Sequence, residues 1–171
     1  MKILFVGPGL LPIPPKGWGG IEHLVWDMKL ALTKLNHDVK IVNTTNPKEI
    51  IYEINNYRPD FVHVQYDDWV LLCPYIQYPC AISTHFAYIE QVEKMSDYKQ
   101  RVFDHYPKVK PNIFALSDGI IKTYRGVGIP DKNLFLTPNG LDIDAYTFTE
   151  TPVYPDRSIC IGKIEDRKKQ Y

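Results

Sequence analysis

Short apolar runs, each closed by turn-forming or polar residues, alternate along the chain with segments long enough to form a helix. The first run is Ile3-Leu4-Phe5-Val6, which ends at Gly7-Pro8. A continuous apolar run of this length is typical of a strand buried on both faces of a parallel sheet. Similar runs predict further strands at 39–42, 61–64, 81–83, 113–116 and 134–136. The alternation predicts an α/β fold with a doubly wound parallel sheet (Rossmann-like).

The predicted helices have recognisable starts and ends. In the first, apolar residues recur at helical spacing from Ile21 to Leu35, and Asn36 suits the left-handed residue that closes a helix. Asn46-Pro47 predicts a capped start for the second helix, with Glu49 reaching back to the cap, and Arg58-Pro59 predicts its end. Further helices are predicted near 67–76, 88–105 and 118–126, the last with Ser117 as its N-cap.

Composition narrows the classes of protein that this chain can belong to. Hydrophobic residues make up 44% and charged residues 23%, as in ordinary globular proteins. The 20 basic and 20 acidic residues balance, which argues against a nucleic-acid binder whose affinity rests on phosphate neutralisation. Cys73, Cys80 and Cys160 form no C-x-x-C pair and indicate a reducing compartment. Since no signal-peptide or membrane-spanning pattern occurs, we expect a cytoplasmic protein, at most peripheral to a membrane.

The pattern changes near the end of the chain. The length of 171 residues exceeds the rough figure of about 150 for one domain. We predict a Rossmann-like domain over 1–146 and a linker, rich in Thr and Pro, over 147–157. Residues 158–171 open with the apolar run Ser158-Ile-Cys-Ile-Gly162 and leave no room for a helix to cover it. We interpret 158–171 as the start of a truncated second domain.

The loop after the first strand lies where open α/β sheets bind ligands. Its beginning, Gly7-Pro-Gly9-Leu-Leu-Pro12, is neither a G-x-G-x-x-G motif nor a Walker A loop. It continues to Lys16-Gly17-Trp18-Gly19-Gly20, directly before the first helix. Adjacent glycines at a helix N-terminus let backbone amides approach an anion closely, although they also simply permit a tight turn. Both interpretations remain open at this point.

Several segments occur in the order typical of one known family. They are Lys2-Ile-Leu-Phe-Val-Gly-Pro8, Pro14-Pro-Lys-Gly-Trp-Gly-Gly-Ile-Glu22, Asn36-His-Asp-Val39, Ser83-Thr-His85, Ala115-Leu-Ser-Asp118, Pro138-Asn-Gly-Leu-Asp142 and Ile161-Gly-Lys-Ile164 with Lys168. This order resembles glycosyltransferase family 4, retaining enzymes of the two-domain GT-B type. The resemblance implies that the chain is the amino-terminal, acceptor-side half of a hexosyl-type glycosyltransferase, incomplete and inactive alone. Its partners would be a nucleotide-diphosphate sugar as donor substrate, a saccharide, lipid or other small-molecule acceptor, and the missing carboxy-terminal domain.

The resemblance also implies roles for individual residues. His85 would contact the donor sugar or the reaction centre in the interdomain cleft. The donor diphosphate would be bound by Gly19 and Gly20 from one side and by Lys163 and Lys168 from the other, without a metal ion or a further cofactor. Three residues would lie at the hinge or in the cleft: Asn139, Gly140 and Asp142. Three would contribute to the acceptor site: Lys16, Trp18 and Glu22.

The chain departs from the family in two places. The family has Arg where this chain has Lys163, and Gly where this chain has Lys169. A lysine meets a phosphate as a point charge but forms no bidentate fork, so this contact is weakened rather than abolished. The 171 residues do not contain the family's second Rossmann domain with its E-x7-E motif, so the resemblance implies that this chain is one half of the enzyme.

Other polar residues have competing interpretations. We interpret His23, His37, His63 and His105 as structural or solvated. Asp142-Ile-Asp144 resembles a metal-binding D-x-D, but in its P-N-G-x-D context Asp142 is expected to be a hinge carboxylate, and no metal site is predicted. Asp67-Asp68 is expected to start a helix by complementing its dipole. The basic and aromatic stretch 94–110 is either a solvated face or a contact with an anionic acceptor or lipid surface.

Two alternatives to a glycosyltransferase share its fold. A GT-B-shaped sugar-nucleotide epimerase has the same two-domain plan, although the segment 14–22 fits that family poorly. A non-catalytic binding or partner module comes from a different class, because a chain with only one of the two domains cannot close a donor site.

Overall fold

The structure is a computed structural model that describes residues 1–85, 87–94, 96–140 and 143. Six strands of this described part form one parallel sheet in the order β2-β1-β3-β4-β5-β6. Their bounds are Lys2–Val6 (β1), Asp38–Val42 (β2), Phe61–Val64 (β3), Cys80–Thr84 (β4), Ile113–Ala115 (β5) and Leu134–Leu136 (β6). The predicted doubly wound α/β fold is confirmed, and each apolar run lies within one residue of its strand at both ends.

Two helices begin and end largely as their sequences predict. Helix α1 spans Gly20–Lys34, and Asn36 has the positive φ of 62° that Asn tolerates well. Helix α2 spans Pro47–Tyr57, and the Asn46 side chain accepts from the Lys48 N–H at 3.1 Å. Glu49 does not reach back to the cap. The Thr44 hydroxyl accepts from the Asn46 N–H at 3.2 Å and donates to Glu49 at 2.9 Å, so it takes the place that the carboxylate was predicted to fill.

The middle of the chain differs more from prediction. Residues Asp67–Tyr75 form a 3-10 helix rather than an α-helix. The single helix predicted for 88–105 is wrong, because three short elements replace it: 3-10 turns at Ala87–Lys94 and Phe103–His105, and α3 at Ser96–Arg101. Helix α4 follows at Tyr106–Val109. Ile89 and Val92 both enter the core, and their three-residue spacing suits a 3-10 turn. Helix α5 spans Asp118–Gly126, and Ser117 caps it as predicted.

The core lies on both faces of the sheet. Ile3 and Phe5 of β1 pack with Val25 of α1 on one face. Leu4 and Val6 point to the opposite face, because side chains alternate along a strand, and they join the larger cluster there. That cluster includes residues from neighbouring strands and from α2 and α5: Val62, Val64, Ile82, Ile113, Ile50, Ile54, Ile120 and Tyr124. Burial on two faces explains why the strands read as continuous apolar runs.

Strand order determines where a ligand crevice can form. The chain passes from β1 to β2 on one side and then crosses to β3 on the other. Loops leaving the carboxyl ends of β1 and β3 therefore diverge, and doubly wound sheets bind ligands at such a switch point. Residues Met1–Asn139 make up one compact unit. The predicted domain end at 146, the linker 147–157 and the second-domain start 158–171 lie outside the described residues.

Candidate functional site

The loop that follows β1 is held by residues from two neighbouring elements. Asn43, directly after β2, accepts from the Gly9 N–H at 2.8 Å and donates to the Leu11 carbonyl at 2.8 Å. Trp69 Nε1 donates to the Gly7 carbonyl at 3.1 Å. Gly9 has φ 77°, and a Cβ there would lie 2.4 Å from the Thr44 backbone. Glycine is therefore required at this position, and the first half of the loop has one defined path.

The N-terminus of α1 lies where this loop ends. Gly19 is the N-cap with φ 143°, and a Cβ on it would lie 2.6 Å from Glu22 Oε2. The Glu22 side chain, only 5% exposed, thus turns back over the helix start, where the helix dipole favours a carboxylate. Gly20 is different, because it is exposed and no atom lies within 4 Å of a Cβ built on it. The positive φ therefore favours glycine at position 19, whereas neither the backbone conformation nor the packing requires it at position 20.

The other residues assigned to the acceptor site and the hinge lie on the surface or outside the described part. Lys16 is exposed, and Trp18 is 70% exposed. Asn139 and Gly140 follow β6 and are also exposed. Asp142, Lys163 and Lys168 lie outside the described residues. Of the predicted phosphate contacts, only Gly19 and Gly20 are therefore described, and all these roles remain predictions.

His85 directly follows β4, at the edge of the sheet where the sequence predicts it. Its Nε2 lies 2.8 Å from Oε1 of Gln65, the first residue after β3. Since Oε1 is an acceptor, Nε2 carries the proton of this hydrogen bond and Nδ1 carries the lone pair. Burial lowers the pKa of His85 to about 4, so the imidazole is neutral at physiological pH. It can accept a hydrogen bond from a hydroxyl group but brings no positive charge to the site.

His63 lies on β3 beside this pair. Its Nε2 lies 2.7 Å from Ser83 Oγ, and its ring packs between Phe5 and Phe114 at centroid distances of 5.6 and 4.9 Å. Burial, and next the neighbouring His85, lower the pKa of His63 to about 3. These surroundings suit the structural role that the sequence indicates for His63.

A buried cluster of polar side chains lies next to the switch point, and sequence reasoning missed it. Asp67 is 1% exposed and accepts a hydrogen bond from the Tyr98 hydroxyl. Burial raises the pKa of Asp67 from 3.8 to about 6. Nearby, Thr84 Oγ1 lies 2.6 Å from the Tyr124 hydroxyl, whose ring packs at 4.7 Å from that of Tyr106. Asp67 begins its helix as expected, but its carboxylate is buried in the core rather than exposed at the helix start.

The aromatic residues of the stretch 94–110 are packed inside the molecule. Tyr98, Phe103 and Tyr106 are all buried. Lys99 pairs with Glu93 at 2.7 Å, and Arg101 pairs with Asp68. The structure therefore adds no support for a lipid contact through this stretch. Among the residues described, no helix is long and apolar enough to cross a membrane.

Gln65 is the residue of the site that sequence reasoning overlooked. Its signal was available, because it is a polar residue directly after a buried strand at a predicted ligand-binding edge. Within the described part of the chain, no group of three or more His, Cys, Asp or Glu side chains could hold a metal ion. Comparison of the chain with protein-family models, with curated proteins and with solved structures finds no match.

Proposed function

We propose that the chain is the acceptor-side domain of a nucleotide-sugar-dependent glycosyltransferase of the retaining GT-B type, which acts without a metal ion. One observation carries the proposal: a glycine-opened helix N-terminus after β1 and a neutral histidine after β4 lie at the same edge of the sheet. Strand β3 lies between these two strands, so the two loops leave the same edge of the sheet two strand positions apart. The motif order of glycosyltransferase family 4 supports the same function.

The helix N-terminus supplies the phosphate contact in this proposal. Free N–H groups of the first turn and the helix dipole attract an anion, and they stabilise charge that grows on a leaving diphosphate. The Glu22 carboxylate already lies over Gly19, so the position open to a phosphate is at Gly20. The resemblance implies further phosphate contacts from Lys163 and Lys168, which lie outside the described residues.

His85 supplies the contact with the sugar. Its Nε2–H is used by Gln65, which leaves Nδ1 to accept a hydrogen bond from a hydroxyl of the donor sugar. Because the imidazole is neutral, it orients the sugar through a hydrogen bond and does not attract the negatively charged phosphate groups. The acceptor, a saccharide, a lipid or another small molecule, then approaches over the exposed Lys16 and Trp18.

Binding to the 171-residue chain tests the proposal directly. Backbone amide resonances are followed by NMR while uridine, guanosine and adenosine diphosphate sugars are added in turn. We expect at least one of them to shift the amides of Gly19 and Gly20 and the ring resonances of His85, with millimolar affinity because half of the donor site is missing. The matching nucleosides, which lack phosphate, serve as controls and should not shift the glycine amides.

Two outcomes would count against the proposal. If the folded chain binds none of the three donors, the donor-binding role is wrong. If a donor binds and shifts other residues only, the site has been misplaced. In a longer chain that carries the second domain, His85→Ala should reduce kcat while the fold is retained, and binding without any turnover would favour the non-catalytic module.

A further inference from the structure

Gln65 occupies a central position at the switch point. It is fully buried, and its backbone N–H donates to the Val6 carbonyl at 2.9 Å, which ties the end of β3 to the end of β1. Its side chain reaches the other neighbour, because Oε1 lies 2.8 Å from His85 Nε2 after β4. One residue thus links the three strand ends that frame the candidate site, through its backbone on one side and its side chain on the other.

The NH2 group of the Gln65 side chain makes no hydrogen bond to the described residues. Its Nε2 is buried and has no hydrogen-bond partner among the described residues. Burying an amide N–H without a partner destabilises a fold, whereas an apolar side chain of similar size at the same place avoids this loss. Among the described residues, the side-chain hydrogen bond that Gln65 makes is the contact with His85, and an apolar side chain at position 65 would leave His85 Nε2–H without this acceptor.

That contact determines the state of the histidine. The Gln65 oxygen only accepts, so the hydrogen bond selects the tautomer in which His85 carries its proton on Nε2. The titratable group that faces His85 from β3 is His63, whose pKa is lowered to about 3, so both rings are neutral near pH 7. No charge on His63 competes with the hydrogen bond for the choice of tautomer.

We propose that Gln65 is a positioning residue that holds His85 in the Nε2–H tautomer and keeps Nδ1 as the nitrogen that accepts a hydrogen bond from the ligand. The identity of that ligand as a sugar hydroxyl rests on the proposed function, whereas the effect of Gln65 on the histidine does not. An incorrect tautomer would present an N–H where the ligand hydroxyl needs an acceptor, and binding would weaken.

The test measures the histidine itself in the uniformly ¹⁵N-labelled 171-residue chain. Long-range ¹H–¹⁵N correlation spectra distinguish the two tautomers, and we expect the Nε2–H form alone in the wild type at pH 7. In Gln65→Leu, which leaves His85 Nε2–H without this acceptor, we expect a mixture of tautomers at His85. In Gln65→Glu, the new carboxylate should raise the pKa of His85 by at least one unit.

A matched control and a second apolar variant make the result decisive. Ser83→Ala removes the hydrogen-bond partner of His63 and should leave the His85 tautomer unchanged. Gln65→Met keeps the unbranched shape if the leucine variant fails to fold. The inference is overturned if wild-type His85 carries its proton on Nδ1, or if Leu and Met at position 65 leave the tautomer unchanged. A tautomer change in a chain that binds no sugar nucleotide would retain the positioning role and reject the glycosyltransferase.

Discussion

Replacing Gly20 by alanine separates the two interpretations of the glycine pair at the start of α1. Gly20 is the first residue of the helix, its φ is not in the positive range, and a Cβ built on it meets no atom within 4 Å. The fold therefore accepts alanine without strain. If glycine is present only to permit a turn, the substitution changes little. If a phosphate must approach the backbone here, the new methyl group lies in its path.

The expected change in stability is small and positive. Alanine reduces the conformational entropy of the unfolded chain, which at a compatible glycine position stabilises the fold by about 0.4–1 kcal/mol. For a protein of this size, that gain raises Tm by roughly 1–4 °C. Gly17→Ala is the matched control. Gly17 lies in the loop directly before α1, and a Cβ built on it also meets no atom within 4 Å.

The expected change in binding is larger and has the opposite sign. A hydrogen bond from a backbone N–H to a charged phosphate contributes about 1.5–3 kcal/mol. Losing one such contact weakens binding roughly 10- to 100-fold, since about 1.4 kcal/mol corresponds to a factor of ten. Thermal unfolding followed by circular dichroism measures the change in Tm. NMR titration with the donor that binds the wild type measures the change in donor affinity.

The combination of results decides the matter. Gly20→Ala should melt slightly higher than the wild type and bind the donor more weakly, while Gly17→Ala should bind it normally. Gly19→Ala should instead lose about 1–3 kcal/mol of stability, because φ 143° strains a side chain and the Cβ would meet Glu22. A Gly20→Ala protein that binds the donor as tightly as the wild type would refute the phosphate role of this helix.

Three further substitutions test the surroundings of the site. Asp67 has a pKa raised from 3.8 to about 6, so the folded state binds its proton more tightly than the unfolded state. Stability should fall by about 2 kcal/mol as pH rises from 4 to 7, and Asp67→Asn should abolish this slope in denaturant titrations. Asn43→Ala removes two hydrogen bonds from the loop after β1 and should cost about 1–3 kcal/mol by urea unfolding, while Asn55→Ala, exposed on α2, should cost almost nothing. Tyr124→Phe leaves Thr84 without its partner and should lower stability by about 1–2 kcal/mol, and an unchanged Tm would contradict the importance of this buried contact.

Local sequence patterns predicted most of the fold. Asn36, Asn46 and Ser117 mark helix boundaries because a cap or a left-handed residue depends on groups within a few positions along the chain. The structure of the stretch 88–105 was harder to predict. Its buried residues Ile89, Val92 and Tyr98 pack into the core without keeping the spacing of one α-helix. The prediction for Glu49 was wrong for a local reason, because the Thr44 hydroxyl, two residues before Asn46, accepts the hydrogen bond from the Asn46 N–H.

The candidate site was only partly predictable. The edge of the sheet and the place of His85 follow from the order of strands and motifs, and Gly19 and Gly20 lie at the helix start as expected. The chain alone did not indicate that Glu22 turns back over Gly19 or that Gln65 pairs with His85. The pairing of Gln65 with His85 depends on how loops from different strands meet, which no local pattern encodes.

By itself, the sequence determined the succession of strands and helices, the parallel sheet and most of the helix caps, because these depend on periodicity and on neighbours in the chain. Only the tertiary structure decided which polar side chains lose water and which partners they find. Gln65 and His85 are 20 residues apart, Asp67 and Tyr98 are 31 apart, and Thr84 and Tyr124 are 40 apart. The raised pKa of Asp67 and the lowered pKa of His85 both result chiefly from burial, a property of the packed molecule rather than of either residue.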